Sequence, residues 1–261
     1  MLTSFYTAPR ITPRFWPVVM RNLLVWKKLA VPSVVGNIAE PLITLVAFGY
    51  GLGALVGQIE GRPYIEFLAS GSVTVSAALA ATFEALYSAY SRMAVQKTWD
   101  SILNAPVALD DIVFAEMLWA ALKGLFSVAA ILVVIFLLGI SRAPSMLLAL
   151  PVLGLVGITF ASIALVFNSL AKGYDFFTYY FTLVMTPMTF LSGVYFPMTQ
   201  MPPWLQAIGQ VLPLTAAVEL VRPLVLGQMP TEITRPLLIL VAYAAAGYYL
   251  ALVLTRRRFF R

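Results

Sequence analysis

No cysteine and no histidine occur in this 261-residue chain. The first absence excludes disulfides, thiolate nucleophiles and iron–sulfur ligation. The second removes the commonest metal ligand and the commonest general base near neutral pH. Charge is scarce too: 11% of residues are Asp, Glu, Lys or Arg, against roughly 25% in a soluble domain. No GxxxxGK[ST] loop is present, so the chain cannot cradle a nucleoside triphosphate in that way. Residues 1–14, which include Pro9 and Pro13, hold no apolar run of the length a secretory signal needs. Membrane insertion is therefore expected through the chain's own helices. The usual catalytic toolkit is missing, and a non-catalytic role is expected.

What is abundant is apolar: 61% of the chain. A soluble core of this size could not hide so much apolar surface, and lipid is the natural solvent. A spanning helix needs about 20 mostly apolar residues, and six segments qualify: 34–56, 67–89, 115–138, 146–170, 176–196 and 236–254. Irregular backbone cannot face lipid, so the expected fold is an all-α polytopic membrane protein, one domain over 1–261, with no sheet. The net charge of +6 does not point to nucleic acid, because the basic residues sit at the ends of apolar segments. Twelve of the 17 lie on the side of the termini, among them Arg14, Lys28, Arg92, Lys97, Lys172 and the run Arg256–Arg258. Four lie on the other side, and Lys123 falls inside the third span. Positive-inside asymmetry then predicts both termini in the cytosol and a multi-pass protein of the cell inner membrane.

Three segments do not fit a plain six-helix bundle. Residues 14–28 place Arg14, Arg21 and Lys28 within about 40° on a helical wheel, opposite Phe15, Trp16, Val19, Leu23 and Trp26. That predicts an interfacial amphipathic helix in contact with lipid head groups. Residues 92–114 are too polar to span. Val95, Trp99, Ile102 and Leu103 recur there at helical spacing, with Pro106 as the stop and Asp110 and Asp111 at the start of the next helix. This is either a loop helix packed on the bundle or a docking element for a cytosolic partner. Residues 197–235 are too apolar for an aqueous loop, and their prolines cut them into pieces too short to span, as re-entrant or interfacial helices would be. Glu219 and Arg222, three apart on one helix, are expected to pair.

Isolated features have plainer readings. The glycine run 48–57 (FGYGLGALVG) predicts close helix packing or a local break, not phosphate binding. Lys123 is expected to snorkel toward the cytosol. Glu84, within the second span, is read as a hydrogen-bonded structural acid, with a proton or cation site as the alternative.

The segments FGYGLG (48–53), QKTWD (96–100), NAPV (104–107), TPMTFLSGVYFP (186–197) and LPLTAAVELVR (212–222), in this order, resemble the type-2 ABC exporter permeases. The resemblance is to their NodJ-like subgroup, associated with lipo-oligosaccharide (nodulation factor) export. It implies a permease homodimer served by two copies of a separate cytosolic ABC ATPase, which would hold the ATP and Mg while this chain holds no cofactor. It also implies that Gln96, Lys97, Thr98, Trp99, Asp100, Ile102, Leu103 and Pro106 form the coupling helix seated on that ATPase. Phe190, Tyr195, Phe196, Trp204, Glu219 and Arg222 would form the outer gate and substrate path for an amphiphilic cargo. Rival readings are the same architecture carrying a drug or polysaccharide, and an ATP-independent carrier or channel.

Overall fold

The computed structural model describes residues 5–260, so Ser4 and Arg261 lie outside the described residues. The chain opens with α1 (Phe15–Lys27). This helix lies on the bundle, burying Val18, Val19 and Asn22 and setting Phe15 edge-on to Phe114 at 4.9 Å, while Trp16 stays exposed. A two-residue break leads directly into α2 (Ala30–Val56), and then come α3 (Tyr64–Val95), the short α4 (Thr98–Leu103), α5 (Leu109–Leu137) and α6 (Met146–Leu170). The last four helices are α7 (Phe176–Leu191), α8 (Pro203–Gly209), α9 (Pro213–Val225) and α10 (Thr234–Phe259). Among the described residues five helices, α2, α3, α5, α6 and α10, are long and apolar enough to cross a membrane.

The predicted fifth span, 176–196, is the shorter apolar helix α7, ending at Leu191. Gly193, at φ 70°, reverses the chain just beyond it, a left-handed conformation that glycine adopts without strain. The 197–235 segment forms the two expected short helices, α8 and α9, bent 84° apart. α9 is wedged into the bundle against α3, α6 and α10. Helix α6 is central, packed on α3, α5, α9 and α10. Small residues allow the close approach: a Cβ on Gly157 would lie 3.0 Å from the Ala121 Cα.

Several helices outrun their predicted ends. Helix α5, 29 residues, is roughly 43 Å long at 1.5 Å per residue, and it begins six residues before the predicted 115. Asp110 and Asp111 are accommodated there because they are satisfied: Asp110 pairs with Arg256 at 2.5 Å, and Asp111 accepts from Ala108 N and from Thr12 N and Oγ1. The expectation of no sheet is corrected by a two-stranded antiparallel ladder, β1 (Gln58–Ile59) with β2 (Arg62–Pro63). Its turn residues Glu60 and Gly61 both have positive φ, as a tight two-residue hairpin demands, and it lies in a loop beyond the spans. The glycine run holds both features considered: a π-turn over Ala47–Leu52, and close packing of Gly49 on Ile65.

Candidate functional site

Beneath α1 and α4 lies a buried charge network that joins four helices. Glu84 of α3 pairs with Lys123 of α5 at 2.6 Å and with Arg92 of α3 at 2.9 Å. Arg92 also pairs with Glu116 of α5 at 2.5 Å. The carboxylates are 3% and 1% exposed. Two anions meet two cations, so the charges cancel, and neutral donors take up the remaining lone pairs. Trp119 Nε1 donates to Glu84 at 2.9 Å, Trp99 Nε1 of α4 to Glu116 at 3.1 Å, and Asn22 Nδ2 of α1 to Glu116 at 3.3 Å. A buried charge left without such partners would be costly, and breaking one pair typically costs about 3–5 kcal/mol. Arg21, half-buried on α1, donates to Asn22 Oδ1. Burial lowers its pKa from the ordinary value, nearby Arg92 adds to that, and Glu116 opposes it.

This geometry corrects two expectations. Lys123 does not snorkel toward the cytosol, because an anion stands within salt-bridge distance on the neighbouring helix. Glu84 is more than a hydrogen-bonded acid: it stands between two cations, Arg92 and Lys123, and the Trp119 indole. The sequence pattern singles out none of Arg92, Glu116 and Asn22 as site residues. Glu116, Trp119 and Lys123 stand at i, i+3 and i+7, one helical stripe, and that spacing was the readable signal. Glu84 and Arg92, eight apart, would diverge by about 80° on an ideal α-helix. The π-turn over Glu84–Ser88 takes up an extra residue and brings them onto one side. Asn168 of α6 donates to the Ala85 and Leu86 carbonyls within that turn.

The predicted coupling residues divide into two faces. Trp99 is 1% exposed and stacked 6.0 Å from Phe259 of α10, so it is not a surface anchor. It is the internal end of α4, drawn inward by the Glu116 carboxylate. Ile102 and Leu103 are half-buried against the core, and Thr98 is half-buried. Gln96, Lys97, Asp100 and Pro106 are exposed, together with Val95 and Ser101. Lys97 sits at φ 50°, turning the chain into α4.

At the opposite end of the bundle Arg222 is half-buried beside the Gly193 turn. Its guanidinium donates to the Gly193 carbonyl at 2.8 Å, the Val194 carbonyl at 3.3 Å and Ser70 Oγ at 3.2 Å, and lies 3.8 Å over the Phe67 ring. Tyr64 OH donates to the next carbonyl, Tyr195. The expected Glu219–Arg222 pair is therefore corrected. Positions three apart on α9 diverge by about 60°, so Arg222 turns inward to three acceptors while Glu219 is exposed. Gly71 makes room for this clamp, since a Cβ there would lie 2.7 Å from the Val194 carbonyl oxygen.

Two cavities lie along the α3 face. One, about 360 Å³, is bounded by α2, α3 and α7 and is lined by Ser72, Ser76, Phe83, Phe181, Thr189, Phe190 and Tyr195. The other, about 430 Å³, lies under α1 and is lined by Arg21, Trp26, Glu84, Tyr87, Ser88, Arg92, Lys123 and Tyr174. Of the predicted path residues, Phe190 and Tyr195 line the first cavity. Phe196 is half-buried outside it, and Trp204 stands 64% exposed on α8. The α2 and α7 flank beside this cavity is apolar and open, with Ile43, Tyr50, Tyr179 and Leu183 exposed.

The sequence model of the ABC-2 type transporter family matches residues 13–226. The chain belongs to the ABC-2 type transporter family. The match runs from before α1 to the end of α9 and takes in the whole network and both cavities. This ABC-2 family member is 42% identical over 247 residues to Nodulation protein J of Sinorhizobium fredii, covering 94% of each chain. It is 43% identical over 238 residues to Nodulation protein J of Rhizobium meliloti, covering 91% of each. It is also 23% identical over 239 residues to Inner membrane transport permease YadH of Escherichia coli, covering 92% of this chain and 91% of that one. The ABC-2 chain is thus a multi-pass membrane permease of a transporter whose family works with an ATPase partner.

Proposed function

We propose that the chain is the permease of an ATP-driven exporter that moves an amphiphilic saccharide, a lipo-oligosaccharide or similar glycolipid, outward across the cell inner membrane. Two copies meet across the α2 and α7 flank, and two copies of a separate cytosolic ATPase, with ATP and Mg bound there, drive the cycle. Both termini, α1 and α4 face the cytosol, and the Arg222 clamp with α8 and α9 closes the outer end. The supporting observation is the connection of α4. One face is exposed for a partner, while the other is tied through Trp99 and Glu116 to α5 and, through Arg92, to α3, which borders both cavities. A push on α4 is therefore a push on charged, packed helices with little slack. The similarity to Nodulation protein J proteins supports the cargo class.

Docking and connection separate experimentally. Lys97→Glu with Asp100→Lys changes only exposed residues, so thermal stability stays within about 0.5 kcal/mol while ATPase co-purification is lost. Trp99→Ala empties a buried site and removes a donor, and lowers stability by about 3–5 kcal/mol. Retained ATPase capture by the charge-reversed double variant would remove α4 as the docking element. Transport by vesicles without any ATPase would make the protein a carrier instead. The absence of native cysteine also permits a clean topology test. Single cysteines at Ser101 and Gln228, both exposed, should label from opposite sides of the membrane, and labelling of both from outside would overturn the orientation.

A further inference from the structure

The walls of the two cavities are in contact. A ladder of four aromatic rings runs between them: Tyr174 on Tyr87 (centroids 6.1 Å, planes 9° apart), Tyr87 on Phe83 (5.6 Å, 23°) and Phe83 on Phe181 (4.6 Å, 27°). Tyr87 and Tyr174 line the cavity under α1, and Phe83 and Phe181 line the one beside α2. Phe83 and Tyr174 keep exposed surface. Rings turned to lipid would need no polar company, yet Ser72, Ser76 and Thr189 stand with Phe83 and Phe181 in the cavity beside α2. The Ser72 hydroxyl oxygen is buried and has no hydrogen-bond partner among the described residues. A buried hydroxyl normally finds a partner, and an acyl chain cannot supply one. Flat apolar ring faces flanked by hydroxyls match a pyranose, which presents C–H groups from its face and hydroxyls from its edge.

We propose that this ladder is the glycan track of the permease: successive sugar rings of the cargo lie on Tyr174, Tyr87, Phe83 and Phe181, and Ser72 bonds a sugar hydroxyl. The acyl chain trails from the ladder into lipid. This rests on the amphiphilic-saccharide reading above and names the residues that would carry it.

The test uses the permease–ATPase complex in lipid vesicles. The probes are a dye-labelled acyl tetrasaccharide and the same dye-labelled acyl chain on phosphocholine. Phe83→Leu and Tyr87→Leu keep apolar bulk and lose the aromatic face; Phe83→Tyr and Tyr87→Phe keep it. Each Leu variant should weaken saccharide-probe binding about three- to tenfold, the scale of one aromatic contact, slow its export, and leave the phosphocholine probe unchanged. The ring-preserving variants should match wild type. Equal losses for both probes, or Leu variants that perform like the ring-preserving ones, would overturn the ladder alone. Wild-type complex that exports no acyl saccharide would overturn the cargo reading and the ladder with it. If a Leu variant fails to assemble, Tyr174→Leu at the exposed end of the ladder takes its place.

Discussion

Arg92→Met should abolish coupled transport and destabilise the permease by about 3–5 kcal/mol, the range for breaking a buried ion pair. Arg92 bridges both buried carboxylates, and Met fills similar volume without charge. Lys123 still answers Glu84 at 2.6 Å, but no cation remains in salt-bridge contact with Glu116 among the described residues. Adding Glu116→Leu removes the orphaned anion, and most of the lost stability should return, because removing both partners avoids the desolvated charge. Coupling should not return. Trp99 then has no carboxylate to donate to, and α4 loses its hydrogen bond to α5. Thermal unfolding in detergent and cargo-stimulated ATPase rates in reconstituted complex read the two effects apart. A double variant with restored stability and full coupling would show that the network only holds the fold.

Arg222→Met should loosen the outer end, while Glu219→Gln should do almost nothing. Arg222 satisfies two carbonyls of the Gly193 turn and the Ser70 hydroxyl, and stacks on Phe67. Removing a donor from buried acceptors costs about 1–3 kcal/mol for each group left unsatisfied. Arg222→Lys should rescue little, because an ammonium cannot present the planar fork that reaches several acceptors while stacked on a ring. Vesicles holding Arg222→Met should leak small solutes that wild-type vesicles retain. Exposed Glu219 carries no such contact, and its neutralisation should stay within about 0.5 kcal/mol. A large stability loss on Glu219→Gln, with Arg222→Met unaffected, would reverse the assignment of the clamp.

Much was legible from the residues alone. Scarce charge and long apolar runs dictate a lipid-embedded helical bundle, because only helices or closed barrels satisfy their backbone in hydrocarbon. Prolines at 202, 203, 213 and 223 deny residues 197–235 the length to cross, and α8 and α9 are the short helices this requires. The wheel of residues 14–28 yields α1, and the spacing of Trp99, Ile102 and Leu103 yields α4. What tertiary structure alone decided is where each charge and each large ring points. Trp99 reads as a surface anchor until Glu116, 17 residues on, is seen to accept its indole N–H. Glu219 and Arg222 read as a pair until three carbonyls of a turn, two of them accepting from Arg222, come into view beside Ser70. The reason is common to both. A buried polar group takes the partner that folding brings within hydrogen-bond reach, and helix packing sets that distance across tens of residues of sequence. The π-turns in α3 shift the register by steps that a 3.6-residue period does not contain, so the face on which Glu84 meets Arg92 exists only in the folded chain.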